Sequence, residues 1–262
     1  MKKITAEQHT HHSFDEDLRR LDTMLLEMFD QVIALLQDAI KAMTEVDQEL
    51  ASAVVKRDRA IDELEIRVEN QAVRILALRE PKAVDLRWVI AALESSSDLE
   101  RMGDMAKNIA KRVAILAHFV PIEGIEGIVP MARLILDSLA KLRQAWAEKN
   151  STLALETWTG DADVDTHFDV TFKNLLFSMI YTPQNITPST HLLFIAKNLE
   201  RIGDHVTNIA EALYYLETGR KLDSVRPKTD AHYSTLIPQN ATLPNSQTTA
   251  SPNPASSEPP AK

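Results

Sequence analysis

Three observations predict an all-α fold: long proline-free segments rich in Ala, Leu, Glu and Arg, only six glycines in 262 residues, and aromatic residues at 5%. Hydrophobic residues make up 44% of the chain, enough for a substantial core. The apolar positions then divide these segments into two three-helix bundles related by internal duplication, six long helices in all. The predicted limits are 1–12 for a flexible N-terminus, 13–120 and 121–222 for the two bundles, and 223–262 for a tail.

The first helix is predicted from about Phe14 to Val46, with Ser13 as N-cap and acidic residues in its first turn. Phe14, Leu18, Leu21, Leu25, Met28, Val32, Leu35, Ala39, Ala42 and Val46 follow an unbroken 4-3-4-3 spacing, the pattern of a bundle seam. Ahead of it, His9-Thr10-His11-His12 is read as a solvated terminal cluster rather than a ligand set. The second helix is predicted over Gln48–Arg79 and stops at Glu80-Pro81. The third follows at once, Ala83–Phe119, so the two form an antiparallel hairpin. The second half repeats the plan with helices near Val129–Lys149, Ser151–Tyr181 and Thr187–Thr218. Thr187-Pro188 suits a helix start and Gly219 a helix stop. From Asp223 the composition turns to Pro, Ser, Thr, Asn and Gln, with too few apolar residues for a core, so this tail is expected to be disordered.

One string occurs twice, one hundred residues apart: Asp98-Leu-Glu-Arg-Met-Gly-Asp-Met-Ala-Lys-Asn-Ile-Ala110 and Asn198-Leu-Glu-Arg-Ile-Gly-Asp-His-Val-Thr-Asn-Ile-Ala210. On a helix, Glu100 and Asp104 stand one turn apart, with Asn108 a turn further; Glu200, Asp204 and Asn208 repeat this. Carboxylates at i and i+4 repel. Gly103 and Gly203 within helices each cost about 0.5–1 kcal/mol relative to alanine. Two locally unfavourable choices, each made twice, call for a reason outside the helix, and a bound cation is one.

The partner helices carry matching pairs, Asp58/Asp62 and Asp161/Asp165. Asp62 and Glu100 are each 19 residues from Pro81, and Asp58 and Asp104 each 23, so an antiparallel hairpin sets all four carboxylates at one height. The second half obeys this register less tightly, because its loop is longer. Glu100, Asp104 and Asn108 lie away from the Leu99/Met102/Ala106/Ile109 stripe, so a shallow, partly wet site is expected. Arg101 and Arg201 are candidates to neutralise the acids or to bind an anion beside them.

Composition narrows the chemistry. The chain has no cysteine, which excludes disulfides, thiolate zinc sites, Fe–S clusters and thiol catalysis. An all-oxygen site suits Mg, Ca, Mn or iron. No Glu-x-x-His occurs, against a buried di-iron oxygenase, and there is no phosphate-cradling glycine loop. A net charge of −9 argues against nucleic-acid binding. No signal peptide and no apolar run long enough to span a bilayer is found, so a cytoplasmic location is expected. A metal-dependent phosphoester hydrolase using the same carboxylates is the alternative to a non-catalytic role.

On these residues the chain resembles the PhoU family, bacterial regulators of phosphate transport. The resemblance rests on the doubled Leu-Glu-Arg-x-Gly-Asp string, the four acid pairs on six helices, His9-Thr10 with Phe14-Asp-Glu-Asp-Leu18, and Asp85-Leu-Arg87, and spans about residues 9–220. It implies multinuclear metal clusters, iron or zinc in the first place, held by Asp58, Asp62, Glu100, Asp104, Asp161, Asp165, Glu200 and Asp204. It further implies a non-enzymatic adaptor that represses the phosphate-starvation response. Its partners would be the ATPase subunit of the phosphate ABC transporter and a sensor histidine kinase, so the protein would be peripheral at the membrane through them. Homodimers or higher oligomers are common in the family. The second half departs from the pattern: Phe168 stands where the first half has Glu65, and Asn198 replaces Asp98, so the first-half site is expected to matter more for metal content. Deleting 223–262 is expected to leave helicity and thermal midpoint nearly unchanged; a fall of more than a few degrees would show that the tail docks.

Overall fold

The protein is described here by a computed structural model covering residues 6–119 and 121–222, the side chains of 6–13 and of Asp161 excepted. All regular structure among these residues is helical. α1 spans Ala6–Glu45, α2 Gln48–Arg57, α3 Arg59–Arg79 and α4 Val84–Leu116; α5 spans Ile128–Glu148, α6 Ser151–Thr159, α7 Asp161–Tyr181 and α8 Ile186–Thr218. Thus α1, α2–α3 and α4 make the first bundle and α5, α6–α7 and α8 the second, as the duplication predicts. The predicted tail, and with it any test of its order, lies outside the described residues.

Four boundaries differ from expectation. α1 begins at Ala6, so Ser13 lies within the helix and is not its cap; no proline or glycine interrupts this polar run. α8 begins at Ile186 after Asn185, one residue ahead of Thr187. The second and fifth predicted helices are each interrupted, at Asp58 and at Gly160. At Asp58 the backbone stays αR (φ −51°, ψ −38°) but the ladder tightens, Ile61 N–H donating to Asp58 O at 2.9 Å. Both interruptions therefore fall at the start of an acid pair.

The two halves turn corners alike. Val46 (φ 55°) and Lys149 (φ 53°) are both left-handed, and the next residue caps the following helix. Asp47 accepts from the amides of Glu49 and Leu50 at 2.9 Å each, and Asn150 accepts from Leu153 N–H at 3.1 Å. Gly219 (φ 68°) ends α8 as predicted.

The seam read from α1 is the core. Leu21, Leu25, Met28, Val32, Leu35, Ala39 and Ala42 are buried, and Phe14, Leu18 and Val46 pack on its ends. The buried residues form one cluster running through both bundles, joined along α1–α5 and α4–α8. Trp146 of α5 is the principal rivet. It is fully buried, with ring centroids 6.1 Å from Phe29 and 5.6 Å from Trp88, and its Nε1 donates to Asp22 Oδ1 at 2.9 Å. Asp22 is raised above the usual carboxylate range by burial, which this bond and the Lys149 charge oppose. Trp146→Phe keeps most of the packing but leaves Asp22 without its donor. It is expected to destabilise by about 1–3 kcal/mol in denaturant unfolding. An unchanged midpoint would show that water replaces the indole.

Candidate metal centre

The first-half carboxylates lie near enough to act on one another electrostatically. Asp58 lies at the α2–α3 interruption, Asp62 and Glu65 on α3, and Glu100 and Asp104 on α4. Burial pushes the Glu100 carboxyl up to about 6, and Asp104, Glu65, Asp62 and Asp58 add to the shift. Asp58 is likewise raised, chiefly by burial, and so is Glu65, by burial and then by Glu69 and Asp62. The hairpin has thus forced mutually repelling groups to one height.

On α4 the group is partly wet as expected, with Glu100 and Asp104 half-buried and Asn108 exposed, whereas its partner-helix members lie deeper. Asp104 has 46% of its side chain exposed, but Asp58 is only 3% exposed and Asp165 6%. Gly103 faces this junction: a Cβ at this position would come within 2.9 Å of Ile61 Cδ1, with Asp58 Oδ1 at an ordinary 3.4 Å. The glycine lets α4 press against the α2–α3 junction, giving a packing reason for a residue that costs helix stability.

A lysine sits among the acids. Lys107, one turn after Asp104, pairs with both Asp104 and Asp58 Oδ2, bridging α4 to the α2–α3 junction. Burial works against its charge, but hydrogen bonds to Asp104 and Asp58 outweigh this and hold its pKa above the usual lysine value. Asp58 Oδ1, turned away from the lysine, is buried without a hydrogen-bond partner. In the second half, Lys197 Nζ lies 2.7 Å from Glu200 Oε2, a contact of opposite charges outside hydrogen-bond geometry. The same ammonium stands 5.4 Å above the Phe168 ring. Asp165 is buried and Asp204 half-buried; the side chain of Asp161 lies outside the described residues.

The supporting residues are distributed differently from the expectation. Asn108 and Arg201 are solvent-exposed. Arg101 acts electrostatically on Glu65, and it lines a recess of about 300 Å³ together with Asp98 and Asn208. Arg101 of one motif therefore faces Asn208 of the other across α4 and α8, which spacing within one helix does not reveal. His205 Nδ1 and Asp98 Oδ1, 2.8 Å apart, pair across the same seam. Sequence reasoning missed Lys107 and Lys197, although their i+3 distances from Asp104 and to Glu200 were available signals.

Among the described residues, no three of His, Asp and Glu converge closely enough to hold a metal ion together as they stand. The chemistry of the first-half group nonetheless fits a hard cation. It is an all-oxygen set with a partnerless buried oxygen on Asp58 and a Glu100 whose ionised form its neighbours oppose.

The raised Glu100 carries a pH signature. Because its folded-state pKa of about 6 exceeds the ordinary 4.5, the folded protein holds this proton more tightly than the unfolded chain. Stability contributed here is full below the ordinary value and lost as pH rises to about 6, by about 1 kcal/mol after allowing for solvent screening. Metal-free Glu100→Gln is therefore expected to melt higher than wild type above that pH and to show a flatter profile between the two values. Parallel profiles would show that Glu100 is not crowded.

Comparison with known proteins bears on the family and the fold. The family model described as PhoU domain matches residues 25–113 and 128–213, one copy per half. The chain is 42% identical over 224 residues to the phosphate-specific transport system accessory protein PhoU homolog of Caulobacter vibrioides, covering 85% of this chain and 97% of that one. The homologue of the same name from Zymomonas mobilis is 42% identical over 222 residues, covering 85% and 94%. Among solved structures, PhoU from Pseudomonas aeruginosa superposes with a TM-score of 0.77 at 32% identity, over 79% of this chain and 100% of that one. The phosphate transport system regulatory protein PhoU from Streptococcus pneumoniae gives 0.74 at 34% identity, over 80% and 100%. With the family motif in both halves and the bundle fold shared, the chain belongs to the PhoU family.

Proposed function

We propose that the protein is a metal-carrying, non-catalytic adaptor of the phosphate transport system that represses the phosphate-starvation response. In this reading it docks on the ATPase subunit of the phosphate ABC transporter and on a sensor histidine kinase at the cytoplasmic face of the membrane, as a homodimer or higher oligomer. Two supports come from different levels. The relatives carry the name of a phosphate-specific transport system accessory protein. The observation that supports the metal is the first-half carboxylate group, where burial, and after it the neighbouring acids, raise Asp58 and Glu100 and leave Asp58 Oδ1 without a partner. Asp58, Asp62, Glu100 and Asp104 would hold a divalent or trivalent cation, iron or zinc first, with Asp161, Asp165, Glu200 and Asp204 their counterparts. Bound metal would supply positive charge that neutralises these faces and shapes the surface the partners meet.

A hydrolase remains the second reading because Glu100, raised to about 6, has the protonation behaviour of a general acid. Phosphoester turnover by metal-loaded protein, lost in Asp104→Ala, would favour it.

The adaptor reading predicts that losing the carboxylates releases repression without unfolding. Asp58→Asn, Asp62→Asn, Glu100→Gln and Asp104→Asn together, and the same changes at Asp161, Asp165, Glu200 and Asp204, keep side-chain size while removing charge. In a phosphate-starvation reporter strain grown in high phosphate, the reporter is expected to switch on with protein level and helicity unchanged. A folded, metal-free variant that still represses fully would remove metal from the signalling role.

A further inference from the structure

Acidic residues are missing from two long stretches of a chain whose net charge is −9. None occurs from Met105 to Ile122, and none from Val170 to Leu199. The first stretch is the C-terminal part of α4 and the connection after it; the second is the turn end of the α7–α8 hairpin. The fold ties them together. Arg112 Nη1 lies 3.1 Å from His191 Nδ1, and the same guanidinium stands 4.2 Å above the Phe194 ring.

Large apolar side chains meet solvent at this end. Phe177, Ile180 and Tyr181 share one face of the last two turns of α7, and Ile186 opens α8 after the turn. Tyr181 is 79% exposed and Ile180 62%, with Phe177 and Ile186 about half exposed. Phe177 and Tyr181 stack with ring centroids 6.3 Å apart, which makes them one apolar surface. Val170 continues this face back along α7, and it too is exposed. Grouped apolar side chains of this size mark a contact with another protein or with a membrane. We propose that the turn end of the α7–α8 hairpin is a membrane-contact surface that seats Phe177, Ile180, Tyr181 and Ile186 in the interfacial layer of an anionic bilayer. This goes beyond the adaptor reading and requires neither metal nor the transport partners.

Charge complementarity selects the lipid surface. Lys173 stands one turn before Phe177 on the same face, Lys111 is exposed on α4, and Arg112 pairs with no carboxylate among the described residues. Each such cation is attracted modestly to a negatively charged leaflet, and no acid within either stretch opposes it. Glu123 and Glu126 lie in the connection to α5, where Glu123 takes the Asn185 amide. Thr182, Gln184 and Thr187 beside the turn supply polar groups for the headgroups, and Tyr181 joins an apolar ring to a polar tip. No described helix is long and apolar enough to cross a membrane, so the contact is with one leaflet. The α3–α4 turn differs in charge. Its exposed Leu78 and Val84 are accompanied by Glu80 and Asp85 as well as Lys82 and Arg87, and Arg79 is held by Asp17.

Sedimentation of the full chain with lipid vesicles tests the proposal without any transport partner, so it succeeds or fails separately from the adaptor reading. Wild type is expected to bind vesicles of equimolar phosphatidylcholine and phosphatidylglycerol at least about fivefold more than phosphatidylcholine alone, and to be released by high salt. The double variant Ile180→Ser, Tyr181→Ser changes only exposed side chains and is expected to lose this binding with helicity unchanged. Lys173→Glu is expected to weaken it at least about fivefold. Leu78→Ser, Val84→Ser at the other hairpin turn is expected to keep it. Failure of wild type to bind either vesicle overturns the proposal, whether the face then proves to join two copies, by a changed oligomeric state in Ile180→Ser, Tyr181→Ser, or to meet a partner protein. Equal loss in the two hairpin variants overturns its location.

Discussion

Contact between α4 and the α2–α3 junction at Gly103 governs this protein's charged face. With no Cβ at 103, the Ile61 tip seats against α4 where a Cβ would come within 2.9 Å, and Asp58 lies beside it. That approach buries Asp58, and a buried carboxylate requires a compensating charge. Lys107, one turn along α4, supplies it and in doing so ties Asp104 to the same point. Glycine, aspartate and lysine thus act together at one point of the α4 surface.

Duplication preserved the scaffold and let the chemistry diverge. The corners at Val46-Asp47 and Lys149-Asn150 use the same left-handed residue and side-chain cap, and both second helices are interrupted beside their first acid. Core positions tolerate exchange of one apolar residue for another when volume is kept. Polar positions do not average in this way, because each partner is specific. Glu65 lies beside Ser97, which favours its ionised form, while in the second half Phe168 lies beneath Lys197. Met105 became His205, which reaches Asp98, a position that is Asn198 in the other copy. The halves are thus alike in shape and unlike in electrostatics.

The join between halves has its own logic. Trp146 draws α1, α4 and α5 together through Phe29, Trp88 and Asp22, so a single aromatic cluster links the bundles at one end. Along α4–α8 the two repeated motifs face each other, and the Asp98–His205 pair and the Arg101–Asn208 recess lie there. The first motif consequently serves two surfaces: Glu100 and Asp104 act on the acids of their own hairpin, while Asp98 and Arg101 meet His205 and Asn208 of the other half.

The sequence by itself determined the helices, the duplication, the α1 core seam and the first-half register. These depend on short-range rules: apolar spacing, proline stops, and equal residue counts about a tight turn. It also marked the acids, because repelling pairs and helix glycines are conspicuous when they occur twice. Only the tertiary structure decided that Asp58 and Asp165 are buried while Asp104 meets solvent, that Lys107 stands between the acids, and that Arg101 looks across to Asn208. Burial and charge pairing are set by how closely helices distant in sequence approach one another. A period of 3.6 says which residues share a face, and nothing about what that face is pressed against.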